Sequence, residues 1–250
     1  MTGSRFRSEG RPPLYSPGGM ALQAVFLDAG GVLVNPNWTR VSEALAGRGV
    51  RVEPTRLESA EPAAKRDLDT TERIRTTTDR TRGWEYFNLV LGHAGIPLSG
   101  ATDDALAELH EYHRRHNLWE SVPAEVPAAL AALRRAGLRL AVVSNSNGTL
   151  RAKMARLGLA SAFDLMVDSS EVGVEKPDPA IFAIALERLG VGAASVVHLG
   201  DFYQIDVVGA RSAGIDAWLI DAGNLYPEAD CPRFRSLAAA AAAIVETRLA

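Results

Sequence analysis

The sequence predicts an α/β fold in which a doubly wound parallel sheet, of the Rossmann-like type, carries an all-α module inserted after its first strand. In the C-terminal half, short apolar runs alternate with stretches of helical periodicity, which is typical of a parallel sheet covered by helices. Between residues 37 and 118 the helical spacing continues with no strand signal. We therefore expect an α/β core from residues 20–36 and 119–250, and a helical insert over residues 37–118.

The composition is that of an ordinary globular protein. The 250 residues are 47% hydrophobic and 23% charged, with a formal net charge of −3. This near-neutral balance gives no basic surface for nucleic acid or for an anionic membrane. The single cysteine, Cys231, excludes an internal disulfide, and no apolar run approaches the roughly 20 residues that span a bilayer. We expect a soluble, cytoplasmic protein.

The N-terminal stretch lacks the pattern of a folded segment. Residues 1–19 are rich in Gly, Pro, Ser and Arg and show no apolar periodicity, so we expect a disordered extension. They also lack the apolar centre of a signal peptide. Met1 and Met20 are both candidate starts of translation.

The first strand is predicted at about residues 22–28. Ala24 to Leu27 are apolar without alternation, as in a strand buried on both faces of a sheet. The run ends at Asp28, and the glycines that follow, Gly30 and Gly31, permit a tight turn and close approach to a ligand. A buried carboxylate is costly unless it meets a cation or a reacting group. This strand end is therefore a candidate site, although taken alone an Asp that caps a turn explains it too.

The insert divides into four predicted helices. The second contains Pro62, which is expected to kink or divide it. Residues 70–82 are polar and Arg-rich, and a solvated, mobile loop is favoured there over a contact with an anionic substrate. Thr102 is expected to be the N-cap of the fourth helix, whose apolar stripe continues into His113 and His116.

Four further strands are predicted in the core, alternating with helices. They span residues 138–143, 165–167, 196–199 and 217–220. Asp178 and Pro179 predict the N-cap and first residue of a helix, and an Ala-rich helix from Ser236 to about Arg248 closes the chain.

Polar side chains follow three of the core strands. Ligands of doubly wound sheets bind outside the carboxyl ends of the strands, so we expect these side chains to converge. They are Asp28, the pair Ser144 and Asn145, and Asp201, with Asp206 five residues further on and Lys176 just before a helix N-terminus.

The chemistry indicated by these residues is metal-assisted phosphoryl transfer. Asp28, Asp201 and Asp206 make a hard oxygen site suited to Mg²⁺. The Ser144 hydroxyl, neighbouring backbone N–H groups and the Lys176 ammonium would hold phosphate oxygens. Asp28 would then be the nucleophile that forms an aspartyl-phosphate. Each residue alone has a structural explanation, as a turn serine, a solvated lysine or a helix-dipole carboxylate. Jointly and in this order they favour a site.

These segments resemble the four motifs of the haloacid dehalogenase (HAD) superfamily, subfamily I, whose cap domain is inserted between the first two motifs. The resemblance covers about residues 22–225, and the motifs are matched by Val25–Gly31, Val142–Asn145, Gly173–Phe182 and His198–Ala210. It implies that Asp28 is the nucleophile and that Ser144, Asn145 and Lys176 hold the phosphoryl group. It also implies that Asp28, Asp201, Asp206 and the Gly30 carbonyl bind Mg²⁺.

One position departs from the family pattern. Family phosphatases usually carry a second Asp two residues after the nucleophile, as general acid and base, and here that residue is Gly30. A positioned acid or base typically contributes about 10²–10⁴-fold in rate. The resemblance still favours a Mg²⁺-dependent phosphatase acting on a small phosphorylated metabolite, with His113 or His116 as candidate replacements for the acid.

Three alternatives stay open. In the dehalogenase branch Asp28 would attack carbon without a metal, but Gly30 does not match the aromatic residue typical of that branch. A branch that cleaves the carbon–phosphorus bond of phosphonoacetaldehyde needs a cap lysine. Lys65 is the only one here, and its neighbours Arg66 and Asp67 indicate a solvated face. A catalytically degenerate member would keep the phosphate and metal site as a binding or regulatory module. Substrate identity and oligomeric state do not follow from the sequence.

Overall fold

The computed structural model describes residues 21–249 and confirms an α/β core with a helical insert. The extension expected at residues 1–19 lies outside the described residues. Within the described part of the chain, no helix combines the length and the apolar character needed to cross a membrane.

Strands and short turns build two sheets. The strands are β1 (Ala24–Leu27), β2 (Asn35–Pro36), β3 (Trp119–Ser121), β4 (Arg139–Ser144), β5 (Leu165–Asp168), β6 (Val196–Gly200), β7 (Asp216–Ile220) and β8 (Arg233–Phe234). The helices are α1 (Trp38–Ala46), α2 (Pro54–Leu68), α3 (Thr71–Thr76), α4 (Asp79–His93), α5 (Gly100–His116), α6 (Val126–Arg135), α7 (Leu150–Arg156), α8 (Ser169–Val172), α9 (Pro179–Leu189), α10 (Val208–Ser212) and α11 (Leu237–Leu249).

The main sheet has the order β5-β4-β1-β6-β7-β8, and each of its strand pairs is parallel. β1 is central, since Leu27 pairs with Val142 of β4 on one side and with Leu199 of β6 on the other. The chain leaves β1 in both directions, which is the predicted doubly wound topology. The carboxyl ends of β4, β1 and β6 are therefore neighbours at one edge. β8 was not predicted, because two residues are too short for a periodic signal.

β1 is buried on both faces, as its unbroken apolar run predicts. Val25 and Leu27 belong to an apolar cluster with residues of α6, α7 and α11, whereas Ala24 and Phe26 join residues of α9 and α10. Helices thus cover both faces of the sheet, and the strand contributes side chains to two cores at once.

Helices α1 to α5 form the insert around an apolar core of their own. The antiparallel ribbon of β2 and β3 joins this cap domain to the sheet. Pro62 does not divide the second helix, since α2 runs unbroken from Pro54 to Leu68, and a kink at this residue stays a prediction. Leu57 and Leu68, at either end of α2, are both buried in the cap core, so packing holds the two halves together despite the missing N–H.

The Arg-rich run at residues 70–82 was expected to be a loop, and this was wrong. It forms α3 and the first turn of α4, and the Thr70 and Thr78 side chains cap the two helices by accepting backbone N–H bonds. Thr102 is also not the N-cap of α5. The N-cap is Ser99. Thr102 lies at the third helical position, where its hydroxyl oxygen accepts the Ser99 N–H.

Asp69, directly after α2, fastens the cap domain to the core. Its buried carboxylate accepts the backbone N–H bonds of Tyr203 and Gln204 at 2.6 and 2.9 Å, and the Tyr226 hydroxyl at 2.8 Å. Burial raises the pKa of Asp69 even though these bonds favour its charged form. The C-terminal end of α2 is therefore held directly over the carboxyl ends of β1 and β6.

Candidate active site

A cavity of about 650 Å³ lies between the cap domain and the carboxyl edge of the sheet. Every site residue predicted from the sequence lines it, so the predicted convergence of strand ends is present. These residues are Asp28, Gly30, Ser144, Asn145, Lys176, Asp201 and Asp206.

Lys176 is the central cation of the site. Its side chain is 1% exposed, and the ammonium donates to Asp28 Oδ1 at 2.8 Å and to Asp206 Oδ1 at 2.6 Å. Burial acts to lower its pKa, but the carboxylates of Asp206 and Asp28 outweigh burial and raise it above the ordinary value. Lys176 is therefore a permanent positive charge that orients the proposed nucleophile.

Asp206 accepts four hydrogen bonds. Besides Lys176, its Oδ1 accepts from His198 Nε2 at 3.0 Å, and its Oδ2 accepts from the backbone N–H groups of Asp201 and Phe202. Burial would raise the pKa of Asp206, but Lys176 and His198 hold it well below its usual range. The position of Asp206 thus fixes both Lys176 and the turn that carries Asp201.

Asn145 holds the backbone of Lys176. Its amide donates to the Lys176 carbonyl at 2.9 Å and accepts from the Lys176 N–H at 2.7 Å. The observed role of the Asn145 side chain is thus to position Lys176, and a direct contact with phosphate stays a prediction. Ser144, buried at the end of β4, donates only a long bond of 3.3 Å to the Asn145 carbonyl.

The three carboxylates fit a hard cation. Asp28, Asp201 and Asp206 each offer an oxygen, and these oxygens all lie within 4.8 Å of one another. An all-oxygen set of anionic donors is what Mg²⁺ prefers. Burial, with the neighbouring Asp28 and Asp206 charges, raises the pKa of Asp201 to about 7 in spite of a nearby lysine. The cluster therefore carries more negative charge than the protein alone neutralises. The Gly30 carbonyl as a further ligand stays a prediction.

Lys65 is that nearby lysine, and the expectation that it faces solvent was wrong. Its side chain is 15% exposed and donates to Asp201 Oδ2 at 2.7 Å and to Glu61 Oε1 at 2.9 Å. Arg66 and Asp67 instead reach away, to Glu228 and His93. Successive helix residues project about 100° apart, so these neighbours gave no information on the Lys65 face.

The two glycines after Asp28 differ in what surrounds them. Gly31 has φ +70°, and a Cβ there would lie 1.9 Å from Asp201 Oδ2, so only glycine fits. A Cβ on Gly30 would lie 3.4 Å from the indole of Trp119 and 3.9 Å from Asp28 Oδ2. A Cβ at position 30 would thus make ordinary van der Waals contact with Trp119, at the start of β3.

Neither candidate histidine is suited to replace the missing acid. Burial, with Lys153 and His110 nearby, lowers the pKa of His113 to about 4, so the ring is neutral at pH 7. Its Nδ1 accepts the Leu118 N–H at 3.2 Å. His116 packs on Tyr112 and is not among the described residues that line the cavity.

Sequence reasoning missed several charged residues of the cavity, among them Asp79, Arg82 and Lys153. Asp79 and Arg82 come from α4, in the run interpreted as a loop, and Lys153 comes from α7. The pKa of Asp79 is raised by desolvation and by the Glu175 and Asp28 carboxylates, with Arg82 opposing this, although the residue is exposed to solvent. A usable signal existed for Lys153. Only three lysines occur among the 27 basic residues of the chain, and all three line this cavity.

Comparisons with known proteins agree with the motifs. A family model for haloacid dehalogenase-like hydrolases matches residues 22–214. Haloacid dehalogenase-like hydrolase domain-containing protein 3 of Danio rerio is 39% identical over 127 residues, which are 49% of this chain and 52% of the relative. A phosphoserine phosphatase of Thermus thermophilus is 40% identical over 131 residues, 52% of each chain. The chain thus spans about half the length of the curated relatives it matches.

A solved structure extends the likeness across both domains. The crystal structure of a 2-haloacid dehalogenase from Pseudomonas syringae has a TM-score of 0.56 and 26% sequence identity, covering 92% of this chain and 100% of that one. The structural likeness therefore includes both the cap domain and the core.

Removing the Lys65 ammonium should lower the free energy of unfolding of the metal-free protein and raise its affinity for Mg²⁺. Lys65→Met leaves Glu61 and Asp201 without their cation, so the free energy of unfolding without metal should fall on the order of 2–4 kcal/mol. Because Mg²⁺ then no longer shares Asp201 with an ammonium, its affinity should rise about fivefold or more. Thermal unfolding along a Mg²⁺ titration measures both quantities.

Arg66→Met is the matched control, since it removes the same charge from the next residue of α2, where the partner is the exposed Glu228. It should change the free energy of unfolding by no more than about 1 kcal/mol. A Mg²⁺ affinity that Lys65→Met leaves unchanged would contradict a metal site at Asp201.

Proposed function

The chain belongs to the haloacid dehalogenase-like hydrolase family, and we propose that it is a Mg²⁺-dependent phosphatase of a small phosphorylated metabolite. The observation that carries the proposal is the contact of Lys176 with both Asp28 and Asp206, beside the Asp201 carboxylate. One fixed cation for phosphate oxygens and a cluster of carboxylates for a metal thus meet at the proposed nucleophile. The Thermus relative named a phosphatase supports the same reading.

Asp28 would be the nucleophile. Its side chain is 13% exposed, and Lys176 fixes Oδ1, which sets the side-chain rotamer and leaves Oδ2 to attack phosphorus. An Oδ2–P bond forms, the ester P–O bond breaks, and the leaving oxygen takes up a proton. Water then attacks phosphorus, releases inorganic phosphate and restores the carboxylate.

The remaining residues hold the phosphoryl group. Lys176 and the Ser144 hydroxyl would bind its oxygens, with Asn145 keeping Lys176 in place through two hydrogen bonds. Bound Mg²⁺, held by Asp28, Asp201 and Asp206, would neutralise charge on the phosphoryl oxygens.

The proton for the leaving oxygen needs a donor other than residue 30. Asp79 is the carboxyl group that the cap domain contributes to the cavity wall among the described residues. Its backbone N–H donates to Glu175 at 3.3 Å, which fixes the start of α4 beside the segment that carries Lys176. Its pKa is raised, but the residue is exposed to solvent, so its place in the cavity wall is what supports a role in proton transfer. We propose Asp79 as the acid and base of this reaction.

Haloacid dehalogenation is the second candidate, favoured by the likeness to the Pseudomonas structure across both domains. In that reaction Asp28 attacks carbon and halide leaves, so no carboxylate cluster is needed for a metal. The crowding of Asp201 and Asp206 beside Asp28 favours the phosphatase.

The test of the function is phosphate release from 4-nitrophenyl phosphate with Mg²⁺ or with EDTA. Wild type should turn over only with Mg²⁺, and Asp28→Asn should lose about 10³-fold or more, because an amide is near-isosteric but a poor nucleophile. Asp67→Asn, an exposed carboxylate of the cap domain, should match wild type. Chloride release from 2-chloropropionate without metal would establish the dehalogenase instead. If neither phosphate nor chloride is released, a binding module is favoured.

The acid assignment predicts a dependence on the leaving group. Asp79→Asn should reduce kcat/KM for an alkyl phosphate about 10–100-fold more than for 4-nitrophenyl phosphate, because a good leaving group needs little protonation. His113→Asn keeps an acceptor for the Leu118 N–H and should affect both esters alike. If His113→Asn shows the leaving-group dependence and Asp79→Asn does not, the assignment is reversed.

A further inference from the structure

All three lysines of this protein line the cavity. The other basic residues of the chain are arginines, of which Arg82 and Arg114 also line the cavity. Two of the three lysines are neutralised in the cavity, Lys176 by Asp28 and Asp206, and Lys65 by Asp201. The third, Lys153, remains to be explained.

Lys153 is a buried lysine that lines the cavity and has no side-chain partner among the described residues. Its residue is 4% exposed, yet within residues 21–249 no hydrogen bond or ion pair is found for its side chain. The other basic residues of α7 do have partners, since Arg151 pairs with Glu171 and Arg156 with Glu120. Because helix side chains lean towards the N-terminus of their helix, Lys153 extends towards the loop that follows Ser144.

The charge of Lys153 is not cancelled by the carboxylates near it. Burial lowers the pKa of Lys153 to about 8, although Asp28 and Asp168 both favour the charged form. Asp168 is occupied by the backbone N–H groups of Gly148, Leu150 and Ser170. A buried ammonium without a partner is costly, so an anion that enters the cavity would gain from it.

Two uncharged donors line the same cavity as Lys153. The Ser146 hydroxyl is buried and has no hydrogen-bond partner among the described residues. The neutral His113 ring accepts at Nδ1, so its proton is assigned to Nε2, which is then a donor. One ammonium with neutral donors matches the single charge of a carboxylate better than the double charge of a phosphate.

We propose that Lys153, with Ser146 and His113, forms a carboxylate subsite, so that the substrate is a phosphate monoester whose untransferred part carries a carboxylate. The subsite rests on the proposed function, because the phosphoryl group has to occupy the site at Lys176 while the carboxylate reaches Lys153. It assigns specificity to core residues of α7 and the loop before it, and not to the cap domain alone.

The test measures binding without turnover. Phosphonates that carry a carboxylate two, three or four carbons along (phosphonoacetate, 3-phosphonopropionate and 4-phosphonobutyrate) are each compared with the matching ω-hydroxy phosphonate by calorimetry in Mg²⁺. Wild type should bind at least one carboxylate about 10–100-fold more tightly than its hydroxy partner. Lys153→Met should abolish that ratio, and Arg151→Met, on the same helix but outside the cavity, should keep it.

The outcomes separate the subsite from the function. No carboxylate preference in wild type, or a preference that survives Lys153→Met, overturns the subsite. If methylenebisphosphonate gains more affinity from Lys153 than the carboxylates do, the subsite binds a second phosphate group. This result also overturns the carboxylate subsite. Failure of methylphosphonate and phosphate to bind at all refutes the site at Lys176, and with it both proposals. Carboxylate binding without phosphate release from any ester refutes the phosphatase and the phosphate-ester substrate, and leaves only the binding of a carboxylate at Lys153. Lys153→Gln, checked by circular dichroism, repeats the test if Lys153→Met misfolds.

Discussion

The site depends on the pairing of carboxylates with lysine ammonium groups at one edge of the sheet. The order β4-β1-β6 places Asp28 and Asp201 at adjacent strand ends, and the turn after β6 adds Asp206 within the same 4.8 Å. Buried charges of one sign are stable at such distances only with cations among them. Lys176 supplies one such cation, and Lys65 supplies a second from the cap domain. The remaining negative charge is what a divalent cation would neutralise.

This constraint also explains the position of the cap domain. Lys65 reaches Asp201 from the same helix whose C-terminal Asp69 accepts the Tyr203 and Gln204 N–H groups. The Lys65 ammonium thus pairs with a carboxylate of the turn that follows β6, and the Asp69 carboxylate accepts two N–H groups of the same turn. Lys65 and Asp69 thus hold α2 against the turn that follows β6, beside the cavity.

The fold and the strand-end residues could be predicted because their signals are local. Ala24 to Leu27 are buried on both faces, and a carboxylate directly after such a strand is visible in the sequence. Lys65 could not be placed by its neighbours, because α2 turns each of them to a different face. The helices at residues 70–82 were missed because threonine caps and an ion pair of Arg73 with Glu85 hold them, without apolar periodicity. Lys153 needed a comparison of lysine with arginine usage across the whole chain.

The covalent step at Asp28 is the central claim, and trapping the intermediate tests it most directly. The enzyme is mixed with an aryl phosphate and Mg²⁺, quenched in acid within the first turnover and analysed by peptide mass spectrometry. The account predicts an addition of one phosphoryl mass on the peptide that contains Asp28, absent when Asp28 is replaced by Asn. Phosphate release with no modified peptide, or a phosphoryl group on any other residue, would contradict it.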